Sequence, residues 1–202
     1  NIIAFTHSFH GVSLGALAAT SNSHFREAAG IDLTNVTFLP YDNYISGINS
    51  SEYLKLMLED RSSGVDIPAA IILETIQGEG GVNVASDTWL KQVADIANTY
   101  GIMLIVDDIQ AGCGRSGNFF SFEESGITPD LVVLSKSISG SGLPMSLLLI
   151  KPEHDIWQPA QHNGTFRGNT LAFVSARAAI GTFWENTDFS NEIKQKGEFI
   201  RS

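Results

Sequence analysis

The chain has 202 residues, 43% of them hydrophobic, with 12 lysines and arginines against 22 aspartates and glutamates and a formal net charge of −10. That length and apolar content suffice for one substantial core, which excludes a disordered chain and makes a single domain the economical reading. The negative charge repels phosphate backbones and anionic headgroups, so neither nucleic acid nor a membrane surface is an expected partner.

The only cysteine, Cys113, leaves no internal disulfide and suits a reducing compartment. With no apolar run near the roughly 18 residues of a membrane span, and no basic leader in NIIAFTH, the expected location is the cytoplasm.

In chain order, NIIAF, VTFL, AAIILE, IMLIVD, DLVVLS and MSLLLI are short, continuous runs rich in Ile, Val and Leu. Such runs suit strands buried on both faces. Helical patterns lie between several of them. SEYLKLMLED precedes the loop RSSGVDIP; Ser86 to Tyr100 places Leu90, Val93, Ala94 and Ala97 on one face; a third stretch runs from about Leu171 to Trp184. Ser86 is a suitable N-cap and Gly101 a C-terminal stop for the second of these. The alternation predicts an α/β fold with a mostly parallel sheet. Gly112 to Gly126, with Phe119, Phe120 and Phe122, reads as a long ordered loop.

In open parallel sheets, ligands bind beyond the carboxyl ends of the strands. Glu74 ends AAIILE, Asp107 ends IMLIVD and Lys136 follows DLVVLS, so three strands offer two carboxylates and an amine. Taken singly, each has an ordinary explanation: an N-capping aspartate, a solvated lysine, a loop-anchoring glutamate. Chance explains the ordered series poorly. IMLIVDD also reads as a strand ending in two magnesium-binding aspartates, but the phosphate loop GxxxxGK that a nucleotide hydrolase needs is missing. A catalytically silent scaffold is a further reading. His7, His10, His24, His154 and His162 have no metal-ligand spacing, and no metal is expected.

LETIQGEGGV, LIVDDIQAGCGRSG, PDLVVLSKSISGSGLP and NGTFRGN, in that order, resemble the signature segments of class III, fold type I, pyridoxal 5'-phosphate (PLP) aminotransferases. The resemblance runs from FHG near the start to the helix after Asn169. DDIQAGCGRSGNFFSFEESGI, HNGTFRGN and AATSNSHFREAAGI are most similar to an ectoine-type branch of that family, and Asp108, where typical members carry Glu, fits that branch. The resemblance implies the large domain of fold type I, a mostly parallel sheet between helix layers (α/β/α). Residues 1–202 would be part of that domain, without the upstream phosphate loop and the downstream small domain. Such a segment on its own is expected to retain PLP poorly.

By the same resemblance, Lys136 is the amine that forms an imine with PLP and then shuttles a proton, a role favoured by a desolvated setting. Asp107 is the counter-ion that keeps the pyridine nitrogen protonated. Gln110 hydrogen-bonds the phenolic oxygen, Phe9 stacks on the ring, and His10 joins the cofactor-binding set. Thr165 reaches the phosphate across a subunit boundary, implying a homodimer or higher homo-oligomer. Glu79 is the substrate gate, pairing with an arginine expected beyond Ser202. Glu74 belongs to a supporting shell, and Arg167 braces a loop as readily as it touches substrate. The implied partners are a small-molecule amino donor and an aldehyde acceptor. The implied reaction takes L-glutamate and L-aspartate 4-semialdehyde to 2-oxoglutarate and L-2,4-diaminobutyrate, in ectoine biosynthesis. The alternative is an ω-aminotransferase for ornithine, 4-aminobutyrate or a similar terminal amine.

Overall fold

A computed structural model describes all residues, 1–202, as two compact units: Asn1–Asp107 with Glu124–Asp130, and Asp108–Glu123 with Leu131–Ser202. In chain order the first unit holds β1 (Ile2–Phe5), α1 (Leu14–Ala19), α2 (Ser23–Arg26), β2 (Val36–Leu39), α3 (Ser50–Glu59), β3 (Ala70–Leu73), β4 (Ile76–Gln77), β5 (Asn83–Val84), α4 (Asp87–Tyr100) and β6 (Met103–Asp107). The second holds β7 (Leu131–Ser135), β8 (Ser146–Ile150), α5 (Thr170–Phe183) and α6 (Asp188–Arg201).

In the first unit, four strands lie side by side in the order β2-β1-β3-β6, every adjacent pair parallel. Ile3, Ala4 and Phe5 are buried in succession, as are Ala70 and Ile71, which is how a strand covered on both faces reads in sequence. Helix α4 begins where expected: the Ser86 hydroxyl accepts from the Trp89 N–H at 3.2 Å. It ends at Gly101, whose φ of 65° is left-handed and whose N–H closes onto the last turn. Trp89, Leu90, Val93, Ile96 and Ala97 form the buried stripe of α4, while Ala94 is only half-buried. Asn49 caps α3 by accepting from the Ser51 and Glu52 N–H groups. Trp89 locks the two helices together, its Nε1 donating to Ser50 Oγ at 2.8 Å. Its ring lies 4.9 Å from that of Phe5 and 5.0 Å from that of Tyr41, so β1 and both helices share one aromatic core. The glycines of QGEGG turn the small antiparallel hairpin β4–β5.

In the second unit, β7 and β8 are antiparallel, with Ser135 opposite Ser146. The expectation of parallel strands does not extend to MSLLLI, because residues 136–145 are too short a connection for the crossover that a parallel pair requires. Nor is that run buried here: Leu148 is 39% and Leu149 41% exposed. Asn169 caps α5 through the Leu171 and Ala172 N–H groups. No helix is long and apolar enough to cross a membrane.

Trp89→Ala is expected to lower unfolding free energy by about 3–5 kcal/mol in a denaturant titration, since it empties the site where β1, α3 and α4 meet.

Candidate active site

Strands β3 and β6 are parallel neighbours with Leu73 opposite Val106, so Glu74 and Asp107 leave adjacent strand ends side by side. Both carboxylates are buried, Asp107 to 7% exposure. A buried carboxylate is tolerated only when it is paired or hydrogen-bonded. His10 Nδ1 lies 2.8 Å from Asp107 Oδ2, with the imidazole side chain 2% exposed. Glu74 Oε2 accepts from the Phe9 N–H at 3.0 Å. The segment carrying both residues is fixed again by Thr20, whose Oγ1 accepts from the His10 N–H and donates to the Gly11 carbonyl, each at 2.9 Å. His10 Nε2 is buried without a hydrogen-bond partner. An imidazole that donates from Nδ1 to a carboxylate keeps Nε2 as its acceptor when neutral.

The expected cofactor set therefore separates by role. Glu74 braces the Phe9 backbone. His10 sits against Asp107. Tyr41, which sequence reading passed over, donates from its hydroxyl to the Glu74 carbonyl at 2.7 Å and to the Thr75 carbonyl at 3.0 Å. Burial first, and then the charges of Glu74 and Asp42, push the Tyr41 phenol far above its usual range, which keeps it a donor.

Phe9 and Glu79 both line a cleft of 570 Å³, together with His7, Arg26, Phe38 and Tyr44. Phe9 packs edge-on against Phe25 at 5.2 Å. The Arg26 guanidinium is engaged, donating to the Leu17, Ala18 and Thr20 carbonyls and lying 5.2 Å over the Phe38 ring.

In the second unit, Lys136 opens a short 3-10 turn, Lys136–Ser139, directly after β7. It lines another cleft of 570 Å³ with Ser135, Ser137, Gly140, Leu143 and Met145. In this chain Lys136 is exposed beside that cleft. Gln110 is exposed at the start of the loop after Asp108, and Thr165 and Arg167 lie in an exposed segment. The Arg167 side chain packs on Gly164, and its N–H donates to the Gly164 carbonyl at 3.0 Å, a local brace.

Asp108 is buried and pins the loop that follows. Its carboxylate accepts from the Ser121 hydroxyl and N–H, and its carbonyl accepts from the Gly112 N–H at 3.0 Å. A Cβ at Gly112 would collide with that carboxylate, so the acid and the glycine are fitted to each other. Phe119 meets both Phe120 and Trp184 edge-on and Phe120 stacks on Phe122, an aromatic cluster that ties the loop to the end of α5. Histidine, cysteine, aspartate and glutamate form no group that could hold a metal ion.

The sequence pattern of the family Aminotransferase class-III matches residues 1–202. The chain belongs to the class III aminotransferases. The class III chain is 57% identical over 202 residues to the diaminobutyrate–2-oxoglutarate transaminase of Bordetella parapertussis, covering 100% of this chain and 46% of that one. It is 58% identical over 200 residues to the enzyme of the same name from Vibrio cholerae, covering 99% of this chain and 48% of that one. The chain thus spans about half the length of these curated relatives. Its fold is that of solved transaminases. The (S)-enantioselective omega-transaminase of Thermomicrobium roseum superposes with a TM-score of 0.84 at 25% identity, over 95% of this chain and 46% of that one.

The Cys113 thiol gives a pH test of the pinned loop. Burial first, then the Asp108 carboxylate, push it up to about 11 from 9.0. A raised thiol stays protonated, so at mildly alkaline pH its alkylation should run roughly a hundredfold below that of an unperturbed thiol. The rate should keep rising as pH approaches 11, and a plateau near 9 would contradict the burial.

Proposed function

We propose that the enzyme to which these residues belong transfers the amino group of L-glutamate to L-aspartate 4-semialdehyde, giving 2-oxoglutarate and L-2,4-diaminobutyrate, with PLP as cofactor. The observation that carries this reading is 57% identity across the entire chain to a transaminase named for diaminobutyrate and 2-oxoglutarate. The likeness to an omega-transaminase, at 25% identity, is weaker support for the alternative substrate class. Ectoine biosynthesis in the cytoplasm is the setting we assign to the step.

The donor set fits the cofactor. A protonated pyridine nitrogen needs an anion that stays charged while buried, and Asp107, held by His10 at 2.8 Å, has that support. PLP, when bound, supplies the electron sink for the substrate carbanion. Asp107 keeps the nitrogen charged, and His10 orients Asp107. Phe9 covers a ring face, with its main chain fixed by Glu74. Gln110 donates to the phenolic oxygen. Lys136 would hold the cofactor covalently, and its amine would supply the group that moves a proton at the substrate α-carbon. Glu79, on the cleft that Phe9 lines, serves as the carboxylate gate. Thr165 would reach the phosphate of the cofactor held by a second subunit in a homodimer or larger homo-oligomer, and it is exposed in this chain.

Lys136→Ala in the full chain is the direct test. The visible absorbance of lysine-bound cofactor should vanish, and the half-reaction with L-glutamate should fall by about 10²–10⁴-fold, the usual contribution of a positioned acid–base group. Wild-type absorbance and turnover in this variant would refute the lysine assignment. Half-reactions with 2,4-diaminobutyrate, ornithine and 4-aminobutyrate decide the substrate class. A preference for either of the latter two favours the alternative.

A further inference from the structure

The backbone of Lys136 has a φ of 51°, in the left-handed region that costs a non-glycine residue about 1–3 kcal/mol. Such a conformation persists only where neighbouring contacts impose it, and here they come from α5. Ser139, 0% exposed, closes the turn that Lys136 opens. Its carbonyl accepts from the Ser175 hydroxyl of α5 at 2.7 Å, a donor shared with the Ala172 carbonyl at 3.0 Å. The Ser139 hydroxyl in turn donates to the Lys136 carbonyl at 3.4 Å. The next residue, Gly140, has a φ of 72°, and its N–H donates to the Ser137 carbonyl at 3.0 Å. A Cβ there would overlap that of Ala179 and stand 3.1 Å from the Ser175 carbonyl oxygen, so α5 lies directly on the turn. On the strand side, Ser135 Oγ donates to the Met145 carbonyl at 2.7 Å and ties the end of β7 to the start of β8. The turn is thus held from both flanks, while the lysine it presents is exposed beside its cleft.

We infer that Ser175 and the Gly140–Ala179 contact are positioning residues for the Lys136 amine: α5 sets the backbone from which the cofactor lysine departs. The inference rests on Lys136 being that lysine. A flexible side chain on an exposed turn has many directions open to it, and small displacements of a reacting group are costly in rate. Fixing the main chain of residues 136–140 narrows those directions without any contact to substrate.

The test uses the full-length enzyme to which these residues belong, loaded with PLP. Ser175→Ala removes the donor to the buried Ser139 carbonyl. It should lower kcat of the half-reaction with the amino donor roughly three- to tenfold, the equivalent of one net hydrogen bond, with the donor KM unchanged. It should also slow the appearance of the lysine-bound cofactor absorbance when PLP is added to the apoenzyme. Ser175→Thr keeps a hydroxyl and should behave as wild type. Ala179→Val presses on Gly140 while leaving the Ser175 hydroxyl in place, and should reproduce the kinetic split of Ser175→Ala. Wild-type kcat and attachment rate in both Ser175→Ala and Ala179→Val, whatever happens to their melting temperatures, overturns the proposal. Loss of lysine-bound absorbance in Lys136→Ala combined with that result would leave the cofactor lysine in place and remove only the positioning role. Persistence of the absorbance in Lys136→Ala would instead remove the reading beneath it.

Discussion

A carboxylate at the end of a buried parallel strand has to be met by a partner, and Asp107 is met by His10. The ion closes β6 at 7% exposure, and the imidazole that reaches it is more deeply buried still. Leaving such a charge unpaired costs several kcal/mol, so the chain after β1 is obliged to lie against the end of β6. Much of the surrounding architecture serves that placement. Thr20 grips the His10 N–H and the Gly11 carbonyl, Glu74 grips the Phe9 N–H, and Tyr41 grips the Glu74 and Thr75 carbonyls. Two adjacent strand ends thereby carry two carboxylates with different tasks. Glu74 is spent on the backbone, and Asp107 is paired with a ring.

That division of labour suits a cofactor whose ring nitrogen needs a permanent anion. The second unit uses the same kind of economy. Asp108 is spent on Ser121 and Gly112, fixing the loop that carries Gln110, and a Cβ at Gly112 would collide with its carboxylate. At Lys136 the strain of a left-handed backbone is carried by hydroxyl groups of Ser139 and Ser175 rather than by burial.

The strands were legible because continuous Ile, Val and Leu runs have few other homes, and α4 because Ser86 and Gly101 mark its ends with recognisable chemistry. Several elements were not. Helices α1 and α2 and the hairpin β4–β5 are too short to show a period. The direction of β8 depends on the length of its connection rather than on its composition, and the exposure of Leu148 and Leu149 cannot be read from an apolar run. In the site, Glu74, Asp107 and Lys136 stand out because each stands at the carboxyl end of a strand. The partnership of His10 with a residue 97 positions away leaves no local trace. Tyr41 and Ser175 act through a hydroxyl aimed at a distant carbonyl, and only tertiary geometry distinguishes them from other tyrosines and serines.

The central claim is that Asp107, steadied by His10, is the counter-ion of the cofactor ring. Nitrogen-15 NMR of ring-labelled PLP bound to the full chain reads this directly. The account predicts a protonated ring nitrogen across the neutral range in the wild type and a deprotonated one in Asp107→Asn. A deprotonated nitrogen in the wild type, or a protonated one that survives the loss of the carboxylate, would contradict it.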